Sequence, residues 1–395
     1  MDPRIALKRL PFLFAWLSMA VLLLGRFWWP GETSAWASSM RFCLAFFLLA
    51  ALLNWRQVGA ELVERQLLLL MGGLALWVLI SVCWLGGEVD ILRRGLVLLV
   101  FIVATAYLAG RESQTLLRLL QASAVLGALA SLVTIGLALH KNGFNFSYRA
   151  FRLHSSGIPG FAEFGNPIIS GMHLALAGLT AFWSLLSSKR WSGRLFWGLL
   201  LLPLGLYVFL SFSRSAWLGV AAGGLFLLWR LGNLRIWIGC GVALVLALVL
   251  ALLRFPNMLG VEAARNLTHR DVIWKMVLDA MPGYWLQGHG AGVNMDLMQI
   301  DRLKVTNTHS LYLEVLFQYG VVGLVLFLGM LLLAVRRLWR CSNDLATLAL
   351  GLLCGSLAVM FFELHSFIHS PNLIWLWIWL PLAIALGSRE RLHAH

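Results

Sequence analysis

The chain has 395 residues, of which 60% are hydrophobic and only 12% charged. A soluble globular chain carries about a quarter charged residues, and apolar runs long enough to span a bilayer recur from end to end, which excludes a string of soluble domains. The formal net charge of +14 would point to nucleic acid in a soluble chain, but it is what basic loops produce in a membrane protein, so nucleic acid is not an expected partner.

Arg4, Lys8 and Arg9 precede the first apolar run, as in a signal peptide. No small-residue cleavage site follows and more spans do, so the segment reads as a retained first helix. Spans are expected at roughly 10–28, 36–54, 67–86, 93–109, 115–139, 168–187, 195–211, 215–230, 235–253, 309–335, 345–364 and 372–388. The polar break Ser211-Phe212-Ser213-Arg214-Ser215 decides the topology. As a kink within one helix, it would move every later loop to the other side. Charge bias selects two helices: with twelve spans and a cytoplasmic N-terminus, every cytoplasmic segment is basic, including Arg336, Arg337 and Arg340. The expectation is therefore an all-α polytopic membrane protein, a single transmembrane domain over 1–395 with both termini cytoplasmic. Two long loops, 140–167 and 254–308, lie on the other face. Trp28, Trp29, Trp36 and Trp84 fit an interfacial aromatic belt. The five cysteines show no CxxC pairing, so neither disulfides nor a thiolate metal site is expected.

Basic residues also occur on the face where the charge rule disfavours them. Loop 140–167 carries Lys141, Arg149 and Arg152, loop 254–308 carries Arg254, Arg265, Arg270, Lys275, Arg302 and Lys304, and Arg214 sits in the short break. Singly, each reads as a solvated or headgroup-facing charge; together they describe a surface that handles anions. Arg214 follows Ser213, an expected N-cap. Arg270 follows Thr268, which with Asp271 resembles a capping box. The stripe Val272, Ile273, Met276, Val277 and Ala280 then predicts a short amphipathic helix along the outer membrane surface. His309 follows Asn307-Thr308 and opens the tenth span. A cation at a helix start opposes the helix dipole unless an anion is shared between it and the free N–H groups. The bland reading is snorkelling arginines and an interfacial histidine; the functional one is a phosphate site with an acid or base beside it.

Other signals are weaker. His365 and His369 are four residues apart with Glu363 nearby, but no third ligand is evident, so no metal is expected. Asp90 and Arg94 read as a salt bridge. Gly288, Gly290 and Gly292 read as a flexible turn; no strand precedes it, so it is not a nucleotide fingerprint. Asn266-Leu267-Thr268 matches a glycosylation sequon but reads as part of the helix cap.

Three motifs resemble the O-antigen ligase family, within the wider group of O-antigen ligases and polymerases. They are Ser211-Phe212-Ser213-Arg214-Ser215-Ala216-Trp217; Arg270-Asp271-Val272-Ile273-Trp274 with Gly288-His289-Gly290-Ala291-Gly292-Val293-Asn294; and Asn307-Thr308-His309-Ser310-Leu311-Tyr312-Leu313 with Gln318-Tyr319-Gly320 and Gly323. The motif region covers about 211–323. The resemblance implies a GT-C-like glycosyltransferase in a bacterial inner membrane. Such an enzyme transfers O-antigen from undecaprenyl diphosphate to a sugar of lipid A–core on the periplasmic face, without nucleotide sugar, metal or other cofactor, and with inversion. It makes Arg214 and Arg270 diphosphate-binding residues and His309 the group that activates or orients the acceptor hydroxyl. Arg149 and Arg152 become candidate contacts to carrier or acceptor phosphates. His154 and Glu163 are weaker candidates in the same loop, Glu163 as an alternative base. An O-antigen polymerase using the same donor is the near alternative. A secondary transporter or lipid flippase is the distant one. It is disfavoured because the two halves differ and the mid-span segments are nearly free of charge, Arg41 being the main exception.

Overall fold

The computed structural model describes residues 3–29, 33–295, 298–300, 303–305, 307–364 and 367–389. The chain runs α1 (Pro3–Trp28), α2 (Thr33–Leu53), α3 (Trp55–Gly59), α4 (Arg65–Trp84), α5 (Asp90–Arg111) and α6 (Ser113–Asn142). A short antiparallel hairpin, β1 (Ser155–Ile158) and β2 (Phe161–Glu163), precedes α7 (Pro167–Ser187), α8 (Trp191–Leu210), α9 (Arg214–Leu231) and α10 (Leu234–Arg254). Next come α11 (Met258–Ala264), α12 (Arg270–Asp279), a second hairpin of β3 (Met298–Ile300) and β4 (Leu303–Val305), α13 (Leu311–Arg340), α14 (Asp344–Val359) and α15 (Trp375–Gly387). Each of the twelve predicted spans has its helix. Nine described helices are long and apolar enough to cross a membrane. The others are α9, α14 and α15, with 18, 16 and 13 residues. This is a polytopic all-α membrane protein with two small hairpins.

Capping chemistry sets several helix starts. Asn166, Ser213, Asn233 and Asn343 each accept a hydrogen bond from a backbone N–H of the first turn they precede. The break at 211–213 is a true boundary. The Ser211 hydroxyl donates to Val208 O at 2.7 Å, Phe212 turns to φ 50°, and α9 begins at Arg214.

Two packing features fix the geometry near the site. Gly219 and Gly223 of α9 face Gly351 and Gly355 of α14. A Cβ on Gly223 would lie 2.8 Å from Gly351 O, and one on Gly355 2.8 Å from Gly219 O. Small residues spaced by four thus let the two backbones touch, as membrane helices do. Helix α13 is interrupted at Gly320 (φ 65°), where a Cβ would sit 2.2 Å from Leu286 O. The turn 284–293 docks into that break through His289 N to Phe317 O (2.8 Å) and Val321 N to Trp285 O (2.8 Å). The Gly288–Gly292 turn is therefore a packed strap rather than the flexible turn expected. His289 is stacked between Tyr284 and Phe317 and bonds Ala280 O, a structural role.

The two ends of the bundle differ. At one end, Asn54 donates to Leu7 O, Val63 N to Leu386 O, and Arg337 to Ser388 O, gathering segments predicted to lie on one side. At the other end lie the 140–167 and 254–308 segments. Trp28 and Trp84 are exposed, as a belt requires, but Trp36 is not. It is 1% exposed and donates to Val21 O, so it is core. Asp90 pairs with Arg94 as expected, at 2.5 Å, and also with Arg93 at 2.7 Å.

Candidate active site

Arg214, Arg270 and His309 come from three distant segments and line one cavity of about 490 Å³, together with Arg152, Arg265, Ser213 and Glu363. The scaffold explains their meeting. Arg214 is the first residue of α9, and the glycine contact holds α9 on α14. Glu363 lies four residues beyond the end of α14. Leu311 N donates to Met360 O at 2.8 Å and Tyr312 Oη to Leu357 O at 3.1 Å, tying the start of α13 to that same end. Trp274 of α12 donates Nε1 to Thr308 O at 3.2 Å, which sets Arg270 beside His309.

Two carboxylates organise the cations. Glu262, on α11, accepts Arg214 Nε at 2.7 Å, Arg265 Nη1 at 2.9 and 3.0 Å, Arg149 Nη1 at 3.3 Å and Tyr148 Oη at 3.1 Å. Burial alone would raise the Glu262 carboxyl, but the bonds from Arg214 and Arg265 outweigh it and hold the group below the usual carboxylate range. Burial beside Glu262 pushes the Tyr148 phenol up to about 12. Arg214 also donates Nη1 to Asn266 O at 2.5 Å, and Nη2 to Glu262 O. Glu363, 8% exposed, accepts Arg270 Nη2 at 3.1 Å, and its other oxygen is 3.6 Å from His309 Nδ1. Arg270 Nε donates to Phe362 O at 3.0 Å. Arg152 Nε donates to Ser211 O at 3.0 Å; burial, then Arg149 and Arg265, lower its pKa. Four arginines thus pair with two carboxylates, and Arg152 adds a fifth positive charge beside them, an excess suited to an anion.

Backbone strain marks the same place. Among the described residues, eight non-glycine residues have positive φ, and Arg149, Phe212, Asn266, Thr268, His269, His309 and Leu364 are seven of them. All seven line the cavity or lie within a residue or two of its lining, except Arg149, which reaches it through Glu262. Such conformations cost of order 1–3 kcal/mol each and persist where the surroundings impose them, commonly at functional sites.

Several expectations change. The predicted capping box at Thr268 and Asp271 does not form. Thr268 and His269 both adopt left-handed backbone, His269 occupies the N-cap position, and it makes no side-chain cap bond. The apolar stripe of α12 is divided: Val272 is exposed, whereas the rest turns to the protein. Ile273 and Val277 are buried against Met281, Met295, Leu316 and Phe317. Helix α13 starts at Leu311, with His309 just before it at φ 50°. Arg149 stands behind the cavity, on Glu262, whereas Arg152 lines it. His154 is exposed and contacts Arg152 O; Glu163 sits in β2 and does not line the cavity. His365 lies outside the described residues. Among those described, no three His, Cys, Asp or Glu side chains cluster as metal ligands.

Sequence reasoning missed Glu262, weighed Glu363 only beside a metal site it did not expect, and counted Arg265 only among the basic residues of the anion-handling face. Glu262 had one usable signal: it is the lone carboxylate in the 254–270 segment, three residues before Arg265.

Residues 199–328 match the family model described as O-antigen ligase. That range contains Arg214, Glu262, Arg265, Arg270 and His309 but not Glu363, Arg149 or Arg152. An O-antigen ligase of Pseudomonas aeruginosa is 30% identical over 140 residues, which are 34% of this chain and 35% of that protein. The chain thus aligns with about a third of that relative's length.

Proposed function

We propose that this chain, a member of the O-antigen ligase family through residues 199–328, transfers O-antigen from undecaprenyl diphosphate to a sugar hydroxyl of lipid A–core on the periplasmic face of the bacterial inner membrane. The observation that carries the reading is the convergence of Arg214, Arg270 and His309 on one arginine-rich cavity. A lipid diphosphate is anionic and gains charge on its bridging oxygen as the sugar–phosphate bond breaks. Arg214 and Arg270, with Arg152 and Arg265 beside them, meet that charge in a cavity walled by protein, where preorganised donors act most strongly. Arg149 supports them through Glu262.

In this reading the acceptor hydroxyl attacks the anomeric carbon from the side opposite the diphosphate. The new carbon–oxygen bond forms as the carbon–oxygen bond to phosphate breaks, and the configuration inverts. The hydroxyl proton goes to His309, and the diphosphate leaves on its lipid carrier. Glu363 orients His309 and faces the imidazolium that forms, while Arg270 holds Glu363 in place. The arginines supply the neutralisation that a divalent cation provides in other transferases, so the reaction is proposed to need none.

The test is transfer by purified full-length protein from a defined lipid-linked donor to lipid A–core, with and without chelator. Product on lipid A–core, undiminished by chelator, is expected. Glycan extension only on the undecaprenyl carrier would replace the reading with a polymerase. Restoration only by added divalent ion would overturn the metal-free step.

A further inference from the structure

A second cavity, of about 140 Å³, lies behind Glu363. It is walled by the start of α7 (Asn166 to His173), by the segment joining α14 to α15, and by Trp377 of α15. Ile168 and Glu363 line both cavities, so the two are adjacent and one carboxylate serves each.

Their chemistries are opposite. The first cavity is lined by four arginines. The second has no lysine or arginine and is lined by His173, His369, Asn166, Asn372 and Glu363 over an apolar floor. His173 is the telling residue. It is 2% exposed, and neither ring nitrogen has a hydrogen-bond partner among the described residues. Its ring is held between Phe27 and Phe164 at centroid distances of 5.3 and 5.5 Å. Buried polar groups are almost always satisfied, so a held, unpaired imidazole lining a cavity implies a partner from outside the chain. A neutral imidazole offers one donor and one acceptor. Asn166 and Asn372 each spend Oδ1 on a backbone N–H (Ile168 and Ile374), which leaves each Nδ2 as a donor. Neutral groups of both kinds above an apolar floor match a hydroxylated ring; a phosphate would meet Glu363 in a lining that contains no lysine or arginine.

We propose that this cavity binds the acceptor sugar. The inference rests on the ligase reading above and adds the subsite. A ring seated there presents a hydroxyl past Glu363 into the first cavity, where His309 and the arginines that take the diphosphate both lie. The hydroxyl then meets the anomeric carbon from the Glu363 side, so that nucleophile and leaving group address opposite faces of one carbon, as displacement with inversion requires.

The test uses full-length protein, His173→Phe and Asn372→Ala. His173→Phe keeps an aromatic ring between Phe27 and Phe164 and removes both nitrogens. Asn372→Ala is the second variant should the buried substitution disturb folding, which thermal unfolding reports. Each is expected to raise the acceptor KM about tenfold, the size of one or two lost hydrogen bonds, with the donor KM unchanged. Binding of delipidated core oligosaccharide, followed by saturation-transfer NMR without donor, is expected for wild type and weaker for both variants. Wild-type acceptor KM and oligosaccharide binding in both variants would sink the subsite, leave a water-filled void, and leave the ligase reading standing. Oligosaccharide binding that depends on His173, in a protein that transfers nothing to lipid A–core, would sink the ligase reading and keep the subsite.

Discussion

Glu262 backs one part of the arginine-lined cavity, behind Arg214 and Arg265, and Glu363 lines another; the two do different work. Glu262 is shared by Arg149, Arg214, Arg265 and Tyr148. None of these changes charge near neutral pH, so this wall is a fixed electrostatic frame. Glu363 is shared by one arginine and one histidine, Arg270 and His309. Histidine can gain or lose a proton near neutrality, so this wall can respond to a reaction. The contrast teaches that ion pairing alone does not define a catalytic group; what the carboxylate pairs with decides it.

The contrast breaks most visibly on the arginines that reach into the cavity from each wall. Arg214→Ala and Arg270→Ala are each expected to cut the transfer rate by about 10²–10³, measured as initial rates at equal amounts of inserted protein. Lysine at either position restores charge but not the paired donors, and recovers only part of the rate. If one of the two alanine variants retains wild-type rate, the walls do not act on one anion.

The next effect sharpens the difference. His309→Ala is expected to lower the rate about 10²–10⁴-fold, the usual range for a lost acid or base. Glu363→Gln removes the charge that orients it and is expected to cost less. Because the two residues act as a unit, the double variant should be no slower than His309→Ala alone. A double variant slowed by the product of the two single effects would show that Glu363 acts independently of His309.

The bundle was legible because bilayer spans are written in length and composition, and charge bias distinguished twelve helices from eleven. What was not legible depended on helices touching. Nothing local marks α15 as buried along its whole length and α10 as having no buried residue; both are apolar all round, as buried and lipid-facing helices alike must be. Arg214, Arg270 and His309 were readable as cations and a histidine near helix starts. Their carboxylate partners were not. Glu262 reaches Arg214 across 48 residues and Glu363 reaches Arg270 across 93; the first needs α11 brought to the start of α9 and the second α12 brought to the end of α14, and neither is written in a local pattern. The cap at Thr268 failed for a related reason. Tertiary contacts of Arg270 with Phe362 and Glu363 pull the chain into left-handed backbone where the local pattern favoured a capping box.

The smallest effect concerns stability and isolates the frame wall. Glu262 titrates below the usual carboxylate range because the bonds from Arg214 and Arg265 outweigh the cost of its burial. A group whose native pKa is depressed contributes stability that is present above its unfolded pKa, about 4.3. That contribution is lost as pH falls through the native value. Glu262→Gln, which leaves Arg149, Arg214 and Arg265 facing one another without an anion, is therefore expected to unfold at lower temperature than wild type at neutral pH. The gap should be constant above about pH 5 and narrow as pH falls below about 4, where the unfolded wild-type chain takes up a proton on Glu262 that the folded protein still resists. Thermal unfolding of both proteins in the same nanodiscs measures this, because the other carboxylates titrate equally in each and cancel. A gap that persists unchanged down to pH 3 would mean that Glu262 holds α11 by shape rather than by charge. Arg214 would then owe its position to its contacts with the backbone carbonyls of Asn266 and Glu262.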